Sequence, residues 1–138
     1  MKEKISATWL KGLAFETEVD GHKIYMDAMA DNGGQNTGPR PKPLMLVALA
    51  GCTGMDVVSI LRKMRQEVES FSVDVEGDIT EEHPKHFSGM KVIYRLKGKD
   101  LSMEKVEKAV ELSKSRYCGV SHNYKDSFSI AHEIILEE

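Results

Sequence analysis

Cysteine is scarce in this sequence, with only Cys52 and Cys118. Two cysteines cannot build the disulfide framework of a small secreted fold. They are too few for a zinc site without help from histidine, and their 66-position separation excludes a CxxC motif. A dominant charge sign is lacking as well: Lys+Arg 19 stands against Asp+Glu 22, so the chain carries no nucleic-acid footprint. Long hydrophobic runs are missing. The longest near-apolar stretch, Pro43 to Gly54, is too short and too small in side chain to span a bilayer. The charged opening Met1-Lys2-Glu3-Lys4-Ile5 has no apolar core of a signal peptide. No glycine-rich phosphate loop, H-E-x-x-H or G-x-S-x-G occurs. These absences lead us to expect a soluble, cytoplasmic protein without membrane or nucleic-acid partner, metal or cofactor. In that compartment a structural disulfide is not expected, so the two thiols are either small buried hydrophobes or redox groups.

What is present has the balance of a globular protein, 41% hydrophobic and 30% charged. A chain of 138 residues suits one domain, residues 1–138, with a core of its own. Its first third alternates: Ile5, Ala7 and Trp9, then Phe15, Thr17 and Val19, then Ile24, Met26 and Ala28. Asp20-Gly21 between two such runs is a hairpin signal. Residues 31–43, rich in Gly, Asn and Pro, form a long loop, with Pro43 suited to the first turn of a helix. Strands follow around Phe71, Val73 and Val75, and around Val92, Tyr94 and Leu96. Ser102 is a plausible N-cap for a helix carrying Val106, Ala109, Val110, Ser113 and Tyr117. A last strand holds Phe128, Ile130, His132 and Ile134. The order is βββ-α-ββ-α-β, an α+β layout with no repeats and no linker.

The helix expected from Leu44 to Glu67 carries the most information. Its first half, to Gly54, is apolar or small on every side and reads as buried all round. One small sheet covers one face of such a helix, so a partner subunit is expected to cover the rest.

Cys52 lies in this helix, in Ala50-Gly51-Cys52-Thr53-Gly54. Two glycines beside it suggest close approach by another backbone or by a small molecule. The plainer reading is helix packing around a buried thiol. Cys118 lies in Tyr117-Cys118-Gly119-Val120-Ser121, at the end of the second helix. Spacing leaves open whether the two meet. A thiol that attacks a peroxide needs a lowered pKa. Cys52 sits too far inside its helix for the dipole to supply this, and Asp56, four residues on, opposes it. The cation must come from Lys11, Arg40, Lys42 or a second subunit. The histidines are less persuasive: His83 and His86 belong to a solvated turn, and tuning of Cys118 by His122, four residues on, is the lesser of its readings.

The segment Gly38-Pro39-Arg40-Pro41-Lys42-Pro43, with Leu44 through Cys52-Thr53-Gly54-Met55-Asp56-Val57-Val58-Ser59-Ile60-Leu61, resembles the central helix of OsmC/Ohr proteins. Tyr117-Cys118-Gly119-Val120-Ser121 resembles that family's second cysteine segment. The resemblance covers nearly the whole chain. It implies an intertwined homodimer with two central helices held between two sheets. It also implies thiol-dependent reduction of organic hydroperoxides or hydrogen peroxide, an antioxidant role. Cys52 would attack, Cys118 would resolve, and a dithiol reductant, lipoyl in some members, would reset the pair. Two positions depart from the family pattern. Lys42 stands where its well-studied peroxidases place a glutamate, and the first strand turn reads Lys11-Gly12 where they place an arginine. A lysine lacks the bidentate fork of that arginine. Two other readings accompany the peroxidase: a non-peroxidatic dimer binding a small ligand in its cleft, and a structural or regulatory dimer with inert cysteines.

Overall fold

Alternation in the first third yields an antiparallel meander. In the computed structural model, which describes Met1–Glu138, β1 (Ala7–Lys11) pairs with β2 (Ala14–Val19), and β2 pairs with β3 (His22–Met26). The hairpin expected at Asp20-Gly21 forms, with φ of 51° and 82° at its two residues. Paired positive φ values make a two-residue turn whose twist matches the strands it joins. Asp20 accepts the left-handed conformation more readily than most side chains do.

The loop after β3 is better organised than its composition suggests. Asp27 is buried, and its carboxylate accepts from the backbone N–H groups of Ala28, Gln35 and Thr37 and from the Thr37 hydroxyl at 2.6 Å. These bonds hold its pKa down to about 2, the Thr37 hydroxyl contributing most. A short 3₁₀ turn, Ala30–Asn32, lies within the segment they tie down. Residues 1–45 form one compact unit and residues 46–138 a second, the division falling inside the first helix.

That helix, α1 (Pro43–Lys63), starts at the proline expected in its first turn. By length and mean hydropathy (2.0 over its most apolar window) it is apolar enough to cross a membrane, because Val57, Val58, Ile60 and Leu61 prolong the apolar run past Gly54. Burial on all sides, expected from sequence, does not occur within one chain. Leu49, Thr53, Val57 and Leu61, each four residues apart, form a buried stripe, while Val47 is 62% and Met55 76% exposed. A stripe at that spacing is one face of a helix laid on one surface.

The second unit builds its sheet from β4 (Ser70–Ile79), β5 (Phe87–Lys97) and β6 (Ser129–Glu137), with β5 in the centre. β4 runs antiparallel to β5, and β6 runs parallel to it. Parallel neighbours need a crossover, and the helical segments between Lys97 and Ser129 supply it. Ser102 caps α2 (Met103–Leu112) as expected, accepting from the Lys105 N–H at 3.3 Å. The expected continuation to Tyr117 is not α-helical. Ser113–Tyr117 widens into a π turn, the chain breaks at Cys118, and a new helix, α3 (Gly119–Tyr124), begins.

Candidate functional site

Spacing along α1 puts Cys52 and Asp56 on one face, a turn apart. Cys118 comes from the break between the π turn and α3. There the two sulfurs and a carboxylate oxygen of Asp56 lie within 4.8 Å of one another, although the cysteines are 66 positions apart in sequence. Both thiols are free; Cys118 is buried and Cys52 half-buried.

The π turn places Cys118. Its N–H donates to the Ser113 carbonyl at 2.8 Å, five residues back, the bond that defines the widened turn. An extended backbone (φ −77°, ψ 101°) then makes Cys118 the N-cap of α3. Its sulfur accepts from the Ser121 N–H at 3.4 Å, and the Ser121 hydroxyl donates to its carbonyl at 3.0 Å. The neighbouring Val120 N–H donates to the sulfur of Cys52. Two consecutive amides thus serve the two sulfurs, one each. His122 meets Cys118 through its backbone N–H, which donates to the Cys118 carbonyl.

A buried hydroxyl chain leads to the same carboxylate. Ser113, fully buried, donates to Asp56 Oδ2 at 2.9 Å. Thr53 Oγ1 lies 2.9 Å from Ser113 Oγ and 2.7 Å from Tyr94 Oη. Each hydroxyl has one proton. Ser113 gives its proton to Asp56 and must accept from Thr53. Thr53 must then accept from Tyr94. The bonds run in one direction, Tyr94 to Thr53 to Ser113 to Asp56, and a chain of this kind polarises its members toward the anion.

Burial pushes the Cys52 thiol above its ordinary pKa, and Cys118 and Asp56 push it further; the Val120 amide acts in the opposite direction. Asp56 therefore opposes thiolate formation, as its spacing suggested. Lys11 ends β1, and Arg40 and Lys42 precede α1. All three belong to the first unit, whereas Cys52, Asp56 and Cys118 belong to the second. Thr53, Tyr94 and Ser113 escaped the sequence reading. The signal was there for Thr53: a hydroxyl at the spacing of Leu49, Val57 and Leu61 is a buried polar group that must find a partner. The glycines beside Cys52 leave room within one chain and line a recess beside α1. A side chain at Gly51 would meet nothing within 4 Å, and one at Gly54 would meet the Val73 side chain at 3.4 Å.

Comparison with known proteins gives consistent results. The family model described as OsmC-like protein matches residues 34–133. The protein YhfA of Escherichia coli K12 is 37% identical over 125 residues, covering 90% of each chain. A crystal structure of a hypothetical protein from Aquifex aeolicus VF5 superposes with a TM-score of 0.84 at 29% identity, covering 100% of this chain and 99% of that one. A Legionella pneumophila structure, described as an organic hydroperoxide resistance protein OsmC and predicted redox protein, shares the fold. Its TM-score is 0.71 at 17% identity, with 96% of this chain and 97% of that one covered.

Proposed function

The chain belongs to the OsmC-like family, and from that premise we propose that it is a thiol-dependent peroxidase acting on organic hydroperoxides or hydrogen peroxide through Cys52 and Cys118. One observation carries the reading: two free thiols from distant parts of the sequence converge to within 4.8 Å. The Legionella protein of the same fold is described as an organic hydroperoxide resistance protein, which agrees with it.

In this reading the Cys52 thiolate attacks the peroxide O–O bond. The bond breaks, Cys52 becomes a sulfenic acid, and the departing oxygen takes a proton and leaves as alcohol or water. The Cys118 thiol then displaces the sulfenic hydroxyl, releasing water and closing a disulfide. The sulfurs must approach to about 2.05 Å for that bond. Cys118 is the partner suited to move, because it sits at a break between two helical segments. A dithiol reductant, of lipoyl type, returns both thiols by exchange. A reducing, cytoplasmic setting suits a pair that rests free.

The working unit in this proposal is a homodimer. Val47 and Met55 on α1, and Trp9, Leu10, Leu13, Phe15 and Tyr25 in the first unit, are exposed on a single chain. Apolar surface of this extent marks an interaction site, and a second copy that covers it gives α1 the all-round burial its sequence calls for. Titrating the reduced protein with cumene hydroperoxide and with hydrogen peroxide while counting free thiols tests the activity. Two thiols should disappear for each peroxide consumed; unchanged thiols would end the proposal. A second reading, an OsmC-like dimer that binds a small apolar ligand, is favoured by one feature. A recess of about 400 Å³ beside α1 is lined by Gly51, Met55, Val58, Phe71 and Val73. Unreactive thiols together with a ligand retained in that recess would select it.

A further inference from the structure

We infer that the reduced site is also a metal site, in which Cys52, Cys118 and Asp56 bind one zinc-class divalent cation as two thiolates and one carboxylate, with a fourth position left open. Three observations converge on it. The three ligand atoms already lie within 4.8 Å of one another, two of them one turn apart on α1 and the third at the N-cap of α3. Zinc holds sulfur at about 2.3 Å and carboxylate oxygen at about 2.0–2.2 Å, so the ligand atoms of a tetrahedral site stand about 3.5 Å apart. Closing by about 1 Å, within reach of small side-chain rotations, brings this set to that geometry.

The surroundings are those of a ligand set. Ligating groups are ordinarily held by hydrogen bonds from behind. Ser113 holds Asp56 by Oδ2 at 2.9 Å and is itself held through Thr53 and Tyr94. The Ser121 N–H donates to the Cys118 sulfur, and the Val120 N–H to that of Cys52. Each ligand thus has its own donor.

The donor chemistry chooses the class of ion. Two thiolates exclude calcium and magnesium, which take oxygen, and select zinc and its soft neighbours. Three anionic ligands around a divalent ion leave a net charge of −1. Asp56 supplies the third ligand, where the sequence alone led us to expect no metal.

Binding displaces the two thiol protons. A disulfide offers no thiolate, so the site exists only in the reduced protein, and metal and oxidant compete for the same sulfurs. The inference stands apart from the peroxidase reading, since it needs only the reduced pair and Asp56.

Cobalt(II) is the probe. The full-length chain, reduced and stripped of metal by a chelator, is titrated with Co²⁺ under anaerobic conditions. Expected are thiolate-to-cobalt charge-transfer absorption in the near ultraviolet and strong visible bands of a tetrahedral site. Both should saturate at one cobalt per chain and disappear on addition of Zn²⁺. Asp56→Asn should weaken binding by at least about tenfold, and Ser113→Ala by about tenfold, the range seen when a supporting partner is lost. Oxidation of the unmutated chain to the disulfide must abolish the bands, which tests the site without relying on any variant. No charge-transfer band, equal affinity in Asp56→Asn, or bands that survive oxidation would each overturn the inference. Peroxide consumption by the metal-free protein is measured separately, so failure of the peroxidase reading leaves the cobalt result standing.

Discussion

Tyr94 and Thr53 are 41 positions apart, and their hydroxyls meet at 2.7 Å inside the protein. Because the bonds run toward Asp56, the two ends of this contact are not equivalent. Thr53→Val leaves the buried Tyr94 hydroxyl without an acceptor and should cost about 1–3 kcal/mol. Tyr94→Phe removes the first donor and leaves only an unfilled lone pair on Thr53, so it should cost about 0.5–1.5 kcal/mol. Urea midpoints at unchanged m-value give both numbers. A larger loss for Tyr94→Phe would reverse the assigned direction.

The two cysteines should behave asymmetrically. Cys52 is half-buried, beside Gly51, where a side chain would meet nothing within 4 Å; Cys118 is buried at the break between the π turn and α3. Cys52→Ser should abolish peroxide consumption. Cys118→Ser should consume about one equivalent per chain and then stall as a sulfenic acid. Peptide mapping of the oxidised protein without reduction should yield a Cys52–Cys118 link. Full turnover by Cys52→Ser would exchange the roles or end them.

The Cys52 thiol is pushed up by burial, by Cys118 and by Asp56. A raised thiol pKa means less thiolate at neutral pH than a free cysteine has, with reactivity recovered as pH rises through the folded value. Lys11, Arg40 and Lys42 remain the candidate cations that oppose this in the assembled protein. Replacing each by Met should slow iodoacetamide labelling of Cys52 near neutral pH in at least one case. Labelling that is unchanged in all three would place the activating charge elsewhere.

A homodimer is expected from the exposed face of α1. Sedimentation at micromolar concentration should show a dimer with no folded monomer. Val47→Glu and Met55→Glu, at positions 62% and 76% exposed in one chain, should shift that equilibrium toward monomer or unfolded chain. A single chain would tolerate charges at such exposed positions, so no effect from either would argue for a monomer.

Asp27 ties the acid stability of the first unit to its loop. Its pKa is held at about 2, below the ordinary 3.8. A depressed carboxylate contributes stability that is complete above its unfolded pKa and is lost as pH falls through the folded value. The loop should therefore loosen between about pH 4 and pH 2, seen as faster amide exchange at Gln35 and Thr37. Thr37→Val, which removes the 2.6 Å hydroxyl bond, should raise the pH at which this occurs. An unchanged acid midpoint would assign the loop's order to other contacts.

Much of the fold was legible because its signals are local. Alternation placed the strands, Asp20-Gly21 placed the hairpin, Pro43 opened α1, and Ser102 capped α2. The misses are non-local, save one. Nothing in the run from Phe128 to Ile134 told that β6 would lie parallel to β5. The helical spacing of Val106, Val110, Ser113 and Tyr117 hid the π turn, because α and π segments present similar short-range patterns. In the candidate site, Cys52 and Asp56 were legible as neighbours on one helix. That Cys118 joins them, and that Ser113 and Tyr94 stand behind, depends on how the crossover returns to α1.

The parallel pairing of β5 and β6 has a bearing on when the site comes into being. The whole crossover from Lys97 to Ser129 must be closed before that pairing can form, and the entropy of closing a long loop is spent ahead of any contact it gains. Cys118 travels in that loop. In the folded chain the meeting of Cys118 with Cys52 is thus tied to the same crossover whose closure lets β6 pair with β5.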